Sequence, residues 1–269
     1  MTSDDTYEVF ALRYGTRDAR RREHFLYKDR VVDPEVSMPM DYFVWLIRNQ
    51  SRALLVDTGF SEPVGTRRGR THLRSPAEAL KLLDVSADAV ENVVITHMHY
   101  DHSGTVRDFP NAQLHLQERE LRWVTSSEMF ERSAQGSFES NDVVNVVRGL
   151  YDRRLTLHEG GWQFAHGIDV HLVPGHTPGI QVVSVNTTRG KVVLASDSTH
   201  YYENMETGEP FATTYDAAQV VAGFKMLEEL ADSKRHIVPG HDPLVMRRYP
   251  AASKDMEGIV VRLDADPDY

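Results

Sequence analysis

Apolar residues fall in short runs along this chain, each closed by residues that favour turns. Positions 42–47 (Tyr-Phe-Val-Trp-Leu-Ile) and 52–56 form two such runs around Asn49-Gln50-Ser51, a pattern that predicts a β-hairpin. Ser75-Pro76-Ala77-Glu78 then combines an N-cap serine, proline in the first turn and glutamate three residues after the cap, ahead of Ala79, Leu80, Leu82 and Leu83. That grammar starts a helix. Further strands are predicted at 93–95, 113–116, 170–173, 180–185 and 192–195, with Thr187-Thr188-Arg189-Gly190 turning a second hairpin. A helix is predicted over 117–124, and Val220, Phe224, Leu227 and Leu230 share one helical face before a last strand at 236–238. Strands, helices, strands, helix and strand in that order suit a layered α/β sandwich better than continuous βαβ alternation. No linker or low-complexity tract interrupts the pattern, so the expectation is one domain spanning 1–269.

Composition narrows the chemistry. The 269 residues carry 30 Lys and Arg against 40 Asp and Glu, a formal charge of −10, which argues against a nucleic-acid partner. The basic segments 17–22 and 67–74 are expected to be solvated surface loops. The N-terminal residues 1–6 lack a basic stretch and an apolar core, and no run approaches the ~18 apolar residues of a membrane span, so a cytoplasmic, non-membrane protein is expected. There is no cysteine, which leaves histidine nitrogen and carboxylate oxygen as the metal donors.

The densest chemistry is Thr96-His97-Met98-His99-Tyr100-Asp101-His102-Ser103-Gly104, directly after the predicted strand 93–95. Alternation along an extended chain turns His97 and His99 to the same side, and the following turn lets Asp101 and His102 face the same pocket. Three other strand ends add His176, Asp197 and His241, with Pro-Gly before both His176 and His241. Glycine there allows close backbone approach. Five histidines and two aspartates from four strand ends predict a dinuclear nitrogen and oxygen site, suited to zinc first and also to manganese, cobalt or iron. His24, His72, His115, His158, His166 and His236 are expected to be ordinary surface or hydrogen-bonded histidines.

His97-x-His99-x-Asp101-His102 followed by His176, Asp197 and His241 resembles the metallo-β-lactamase fold superfamily, over roughly residues 40–245. Within it the chain is most similar to the N-acyl homoserine lactonase group. The resemblance implies a four-layer αββα sandwich with mixed sheets and a dinuclear site at one edge. It implies that His97, His99 and His176 hold one metal, Asp101, His102 and His241 the other, and that Asp197 bridges them. Asp57-Thr58-Gly59 resembles the turn whose aspartate orients that site. The implied reaction opens the lactone ring of an N-acyl homoserine lactone, a small-molecule substrate, by a hydroxide shared between two divalent ions, with Asp101 moving a proton. Relatives commonly place a tyrosine three residues after the bridging aspartate, where this chain has His200, then Tyr201 and Tyr202; any of the three is a candidate contact for the substrate carbonyl.

An acyl-chain groove is expected from loops 27–40, the surroundings of Met129 and Phe130, and 200–211, bringing Met38, Met40, Tyr201, Tyr202, Met205 and Phe211. Another small lactone of γ-butyrolactone or pyridoxolactone type, or a glyoxalase II-like thioester, is the alternative substrate. The aromatic run 42–47 fits either a buried strand or a homodimer contact.

Overall fold

The computed structural model describes residues 6–268. The N-terminal residues 1–5, on which part of the localisation expectation rests, lie outside them. Thirteen strands are described: β1 Glu8–Arg17, β2 Met40–Arg48, β3 Ala53–Val56, β4 Thr71–His72, β5 Asn92–Val94, β6 Gln113–Gln117, β7 Leu155–His158, β8 Trp162–Ala165, β9 Ile168–Leu172, β10 Gln181–Thr187, β11 Gly190–Ser196, β12 Ile237–Pro239 and β13 Val260–Arg262. The first sheet runs β13-β1-β2-β3-β5-β6-β7, with β4 joined to β1, and the second runs β12-β11-β10-β9-β8. Both are mixed. Strands β1, β2, β3 and β13 pair antiparallel while β3, β5, β6 and β7 run parallel, and β11 pairs parallel with β12.

The continuous apolar run of β2 follows from burial on both faces. Phe43, Trp45 and Ile47 point between the sheets, against Val183, Val185, Val192 and Leu194 of β10 and β11. Tyr42, Val44 and Leu46 point the other way, into a cluster with Leu80, Val106, Leu121 and Val146 from the covering helices. A third cluster packs Leu227, from the helix Ala217–Leu230, against Val182, Val193 and Ile237 on the far side of the second sheet. The order helix, sheet, sheet, helix is therefore the αββα sandwich that the family resemblance implies. Because residues 42–47 are fully inside it, they are not available as a dimer contact.

The strand at 237–239 does not end the fold, since β13 follows it and pairs with β1. Strands β1, β7, β8 and β13 and the helix Ser140–Tyr151 have no counterpart among the predicted elements. The serine cap does what its pattern predicts. Ser75 Oγ accepts from Glu78 N at 3.1 Å, and the Glu78 carboxylate accepts from Ser75 N at 2.9 Å. Among the described residues no helix is long and apolar enough to cross a membrane.

Candidate metal centre

Loops leaving the C-terminal ends of β5, β9, β11 and β12 converge at one edge of the sandwich, where ligands of parallel strands gather. They bring together every residue of the predicted donor set. The ring nitrogens of His97, His99 and His176 approach within 2.9–3.1 Å of one another. Such a triangle of lone pairs repels itself unless a cation sits among them. Around a tetrahedral ion with nitrogens at ~2.05 Å, the nitrogens would be about 3.3 Å apart, close to what is seen. Asp101, His102 and His241 form a second group.

Asp197 lies between the groups and divides its oxygens between them. Its Oδ2 is 3.1 Å from His176 Nε2, and its Oδ1 is 2.9 Å from His241 Nε2 and 3.2 Å from His102 Nε2. Asp197 Oδ1 and His102 Nε2 are both buried and, though 3.2 Å apart, are not aligned as a hydrogen bond. Buried polar atoms left in this state are costly in a protein interior, and a bound cation would satisfy both. The donor set therefore fits two divalent ions bound by nitrogen and oxygen.

The far nitrogens of four of the five rings are tied down; His99 faces the group with its Nδ1 instead. Nδ1 of His176 donates to the Thr213 carbonyl at 2.6 Å and that of His241 to the Asp41 carbonyl at 2.8 Å, while His102 Nδ1 donates to the Asp57 carboxylate at 2.7 Å. Thr96 Oγ1 gives its proton to Asp57 and so accepts from His97 Nδ1 at 3.1 Å. Each proton fixed on Nδ1 leaves the Nε2 lone pair facing the centre. Asp57 thus stands where its turn predicts, and its backbone takes a left-handed conformation, φ 64°. Gly240 is needed for close approach: a Cβ there would lie 2.6 Å from the Ser196 carbonyl and 2.7 Å from Asp197 Oδ1.

Electrostatics point the same way. Burial and mutual repulsion hold His97 and His99 well below the usual histidine range, so both rings are neutral donors. Burial opposes ionisation of Asp197, but His241, His102, His200 and His176 keep it an anion. Burial also opposes protonation of His102 and His241, yet the surrounding carboxylates, Asp197 first, pull both upward. The second group is a pocket that demands positive charge.

A cavity opens above this centre, lined by His99, Asp101, His176, Asp197, His200 and His241 and walled by Arg17, His24, Met40, Tyr42, Arg70 and Tyr100. His200 is the one member of the 200–202 trio on this wall. It lies 3.1 Å from Asp197 Oδ2 and stacks on Phe211 at 3.9 Å, and burial lowers it to about 3. Tyr201 and Tyr202 require correction as substrate contacts. The Tyr201 hydroxyl is buried against the His24 ring and the Pro39 carbonyl, and Tyr202 faces a separate depression beside Arg248. They differ from His200 because the helix Tyr202–Thr207 begins there and turns both rings away.

Other expectations shift too. Met129 and Phe130 themselves do not line the cavity, and Phe130 is 90% exposed, but Glu128, Ser133 and Ala134 around them line an adjoining cleft. This second cleft continues from His99, Ser137, His176, Ala212 and Thr213 to an aromatic wall of Trp123, Phe138 and Tyr215. Arg17 and Arg70, assigned to solvated loops, face the cavity, while Arg67 and Arg68 pair with Glu139. His24 is a buried cavity residue, lowered to about 4 by burial. An isolated histidine or arginine in a polar loop carries no periodic signal, and only the folded chain shows these side chains turned inward.

The sequence pattern defining the metallo-beta-lactamase superfamily matches residues 39–241. An N-acyl homoserine lactonase of Bacillus sp is 25% identical over 221 residues, 76% of this chain and 82% of that protein. The N-acyl homoserine lactonase AiiA of Bacillus thuringiensis subsp. kurstaki is 23% identical over 225 residues, 78% and 84% of the two chains. Among solved structures, a quorum-quenching N-acyl homoserine lactone lactonase superposes with a TM-score of 0.71 at 21% identity, covering 88% of this chain and 92% of the other. AidC, a dizinc quorum-quenching lactonase, gives 0.68 at 21% identity, with 88% of each chain covered. The match spans most of the described fold and every strand end that supplies a donor, and the chain belongs to the metallo-β-lactamase superfamily.

Proposed function

We propose that this chain is a lactonase that opens N-acyl homoserine lactones using two divalent metal ions, zinc first among them. The observation that carries the reading is Asp197, whose two carboxylate oxygens face two separate donor groups. His97, His99 and His176 would hold one ion, Asp101, His102 and His241 the other, and Asp197 both. When bound, such a pair supplies a Lewis acid for the carbonyl and water that ionises near neutral pH.

The protein's own part begins with orientation. His200, neutral near pH 7, has a single N–H, which faces Asp197 Oδ2 at 3.1 Å; turned to the lactone carbonyl, it would take the place relatives give to a phenol. Asp101 lines the same cavity and stands 3.8 Å from His241 Nε2. It takes the proton released as water adds to the carbonyl carbon and returns it to the ring oxygen as the C–O bond breaks. Both halves remain in one product, an acyl homoserine with a new hydroxyl and a carboxyl group that releases its proton to solvent to become the carboxylate. The acyl chain is assigned to the aromatic cleft of Trp123, Phe138 and Tyr215, which continues from the cavity at His99 and His176.

One observation favours a second reading, a small lactone bearing a polar or anionic group. Arg70 faces the cavity and donates to the Tyr100 hydroxyl at 3.0 Å and the Arg68 carbonyl at 2.7 Å, with no carboxylate among the described residues in ion-pair contact.

Proton release from short- and long-chain N-acyl homoserine lactones, with γ-butyrolactone and a carboxylate-bearing γ-lactone in parallel, tests the choice. Chelator-sensitive opening of the acylated substrates supports the first reading. Turnover of the carboxylate-bearing γ-lactone in preference to both the acylated substrates and unsubstituted γ-butyrolactone would replace it with the second.

A further inference from the structure

Glu120 is a carboxylate that the reaction above does not use, yet it is wholly buried behind the first donor group, on the helix Glu118–Val124. Its Oε1 accepts from the Met98 backbone N–H at 3.0 Å. Its Oε2 accepts from the Thr177 hydroxyl at 2.7 Å and from the Gly179 N–H at 3.0 Å. Met98 sits between His97 and His99, and Thr177 follows His176. One side chain therefore joins the loop leaving β5 in the first sheet to the loop leaving β9 in the second.

The junction is tight. A Cβ on Gly179 would fall 2.4 Å from Glu120 N and 2.6 Å from its Cα, so glycine is what lets the two backbones meet. Three donors on one carboxylate need acceptor positions on both oxygens, and an amide in its place would set an N–H against one of those donors. A tie of this kind is needed where three imidazole lone pairs are held within 2.9–3.1 Å of each other against their own repulsion.

We infer that Glu120 is a positioning residue that fixes the spacing of His97, His99 and His176 and so sets the metal affinity of that group; this rests on the metal-centre reading above. It touches neither ion nor substrate. Its effect reaches the site through the Met98 and Thr177–Gly179 backbone.

The test is a cobalt titration of chelator-stripped protein, read by visible absorption, in wild type, Glu120→Gln and Gly179→Ala. The same series is repeated with His241→Ala present, so that the first group is read by itself. Melting in chelator shows that each variant folds. Both substitutions are expected to weaken cobalt binding at the first group by about 10- to 100-fold, the range found for partners that orient metal ligands. Gly179→Ala keeps the carboxylate and displaces the loop, so an equal loss in both variants reports spacing and not charge. Wild-type affinity in both folded variants would overturn the inference. A wild-type protein that takes up no cobalt would overturn the metal-centre reading and this inference together.

Discussion

Asp57 and His102 meet at 2.7 Å between Oδ2 and Nδ1, both fully buried, at the root of the second donor group. The same carboxylate accepts from Thr96 N at 2.7 Å and Thr96 Oγ1 at 2.8 Å, so one aspartate steers His102 directly and His97 through a hydroxyl. Its left-handed backbone is a conformation that asparagine tolerates and alanine resists.

Asp57→Asn is therefore expected to keep the fold while loosening the orientation of His102. Zinc affinity should fall about 10- to 100-fold, with turnover falling alongside. Asp57→Ala should add backbone strain, on the order of 1 kcal/mol, and melt lower. Zinc content after dialysis, together with thermal melts of the two variants, checks both statements.

The aromatic cleft makes a prediction about chain length. Trp123→Ala and Tyr215→Ala remove apolar wall from one side of the proposed acyl site. The ratio of kcat/KM for a decanoyl over a butanoyl homoserine lactone should drop by about 5- to 10-fold, roughly 1 kcal/mol of lost apolar contact. γ-Butyrolactone, which has no chain, should be turned over as before. Equal losses on all three substrates would place the acyl chain elsewhere.

Stability should depend on pH through Asp142. Burial, with the charge of Glu139 adding to it, raises this carboxyl to about 7, against the opposing charges of Arg68 and Arg67. The folded chain thus holds a proton that the unfolded chain releases near pH 4. Stability contributed by that proton is complete below about pH 4 and is lost as pH rises toward 7. Asp142→Asn should raise the melting temperature by several degrees at pH 8 and leave it unchanged at pH 4. A shift at pH 4 as large as at pH 8 would contradict the assignment.

The layers and the donors were legible in the sequence for different reasons. Residues 42–47 announce a strand because their run is apolar and aromatic, and the structure, which puts alternate side chains into two separate cores, decides for a buried strand over a dimer contact. His97 to His102 announce themselves by density, and His176, Asp197 and His241 by following strands. What the sequence did not disclose depends on long-range packing. β13 is three residues long and exists because β1 offers it an edge. Glu120 sits in a charged helical stretch, Glu118-Arg119-Glu120, where only tertiary contacts separate a buried carboxylate from a solvated one. His24 and Arg70 come from loops, and Arg17 from the last position of β1, and their inward turn leaves no periodic mark. Tyr201 and Tyr202 stand beside His200 in sequence but are carried away from the cavity by the start of a helix.

The central claim is that Asp197 joins two metal-binding groups whose occupancy opens a lactone. The direct measurement follows ring opening of N-hexanoyl homoserine lactone by wild type and Asp197→Ala, before chelation, after it, and on stepwise return of zinc. Wild-type turnover should vanish on chelation and return as the second equivalent per chain binds, with the melting temperature rising by several degrees. Asp197→Ala should bind fewer ions and turn over more than about 100-fold more slowly, beyond the loss expected for an outer partner of a ligand. Unchanged turnover in Asp197→Ala, or full wild-type activity in chelator, would contradict the account.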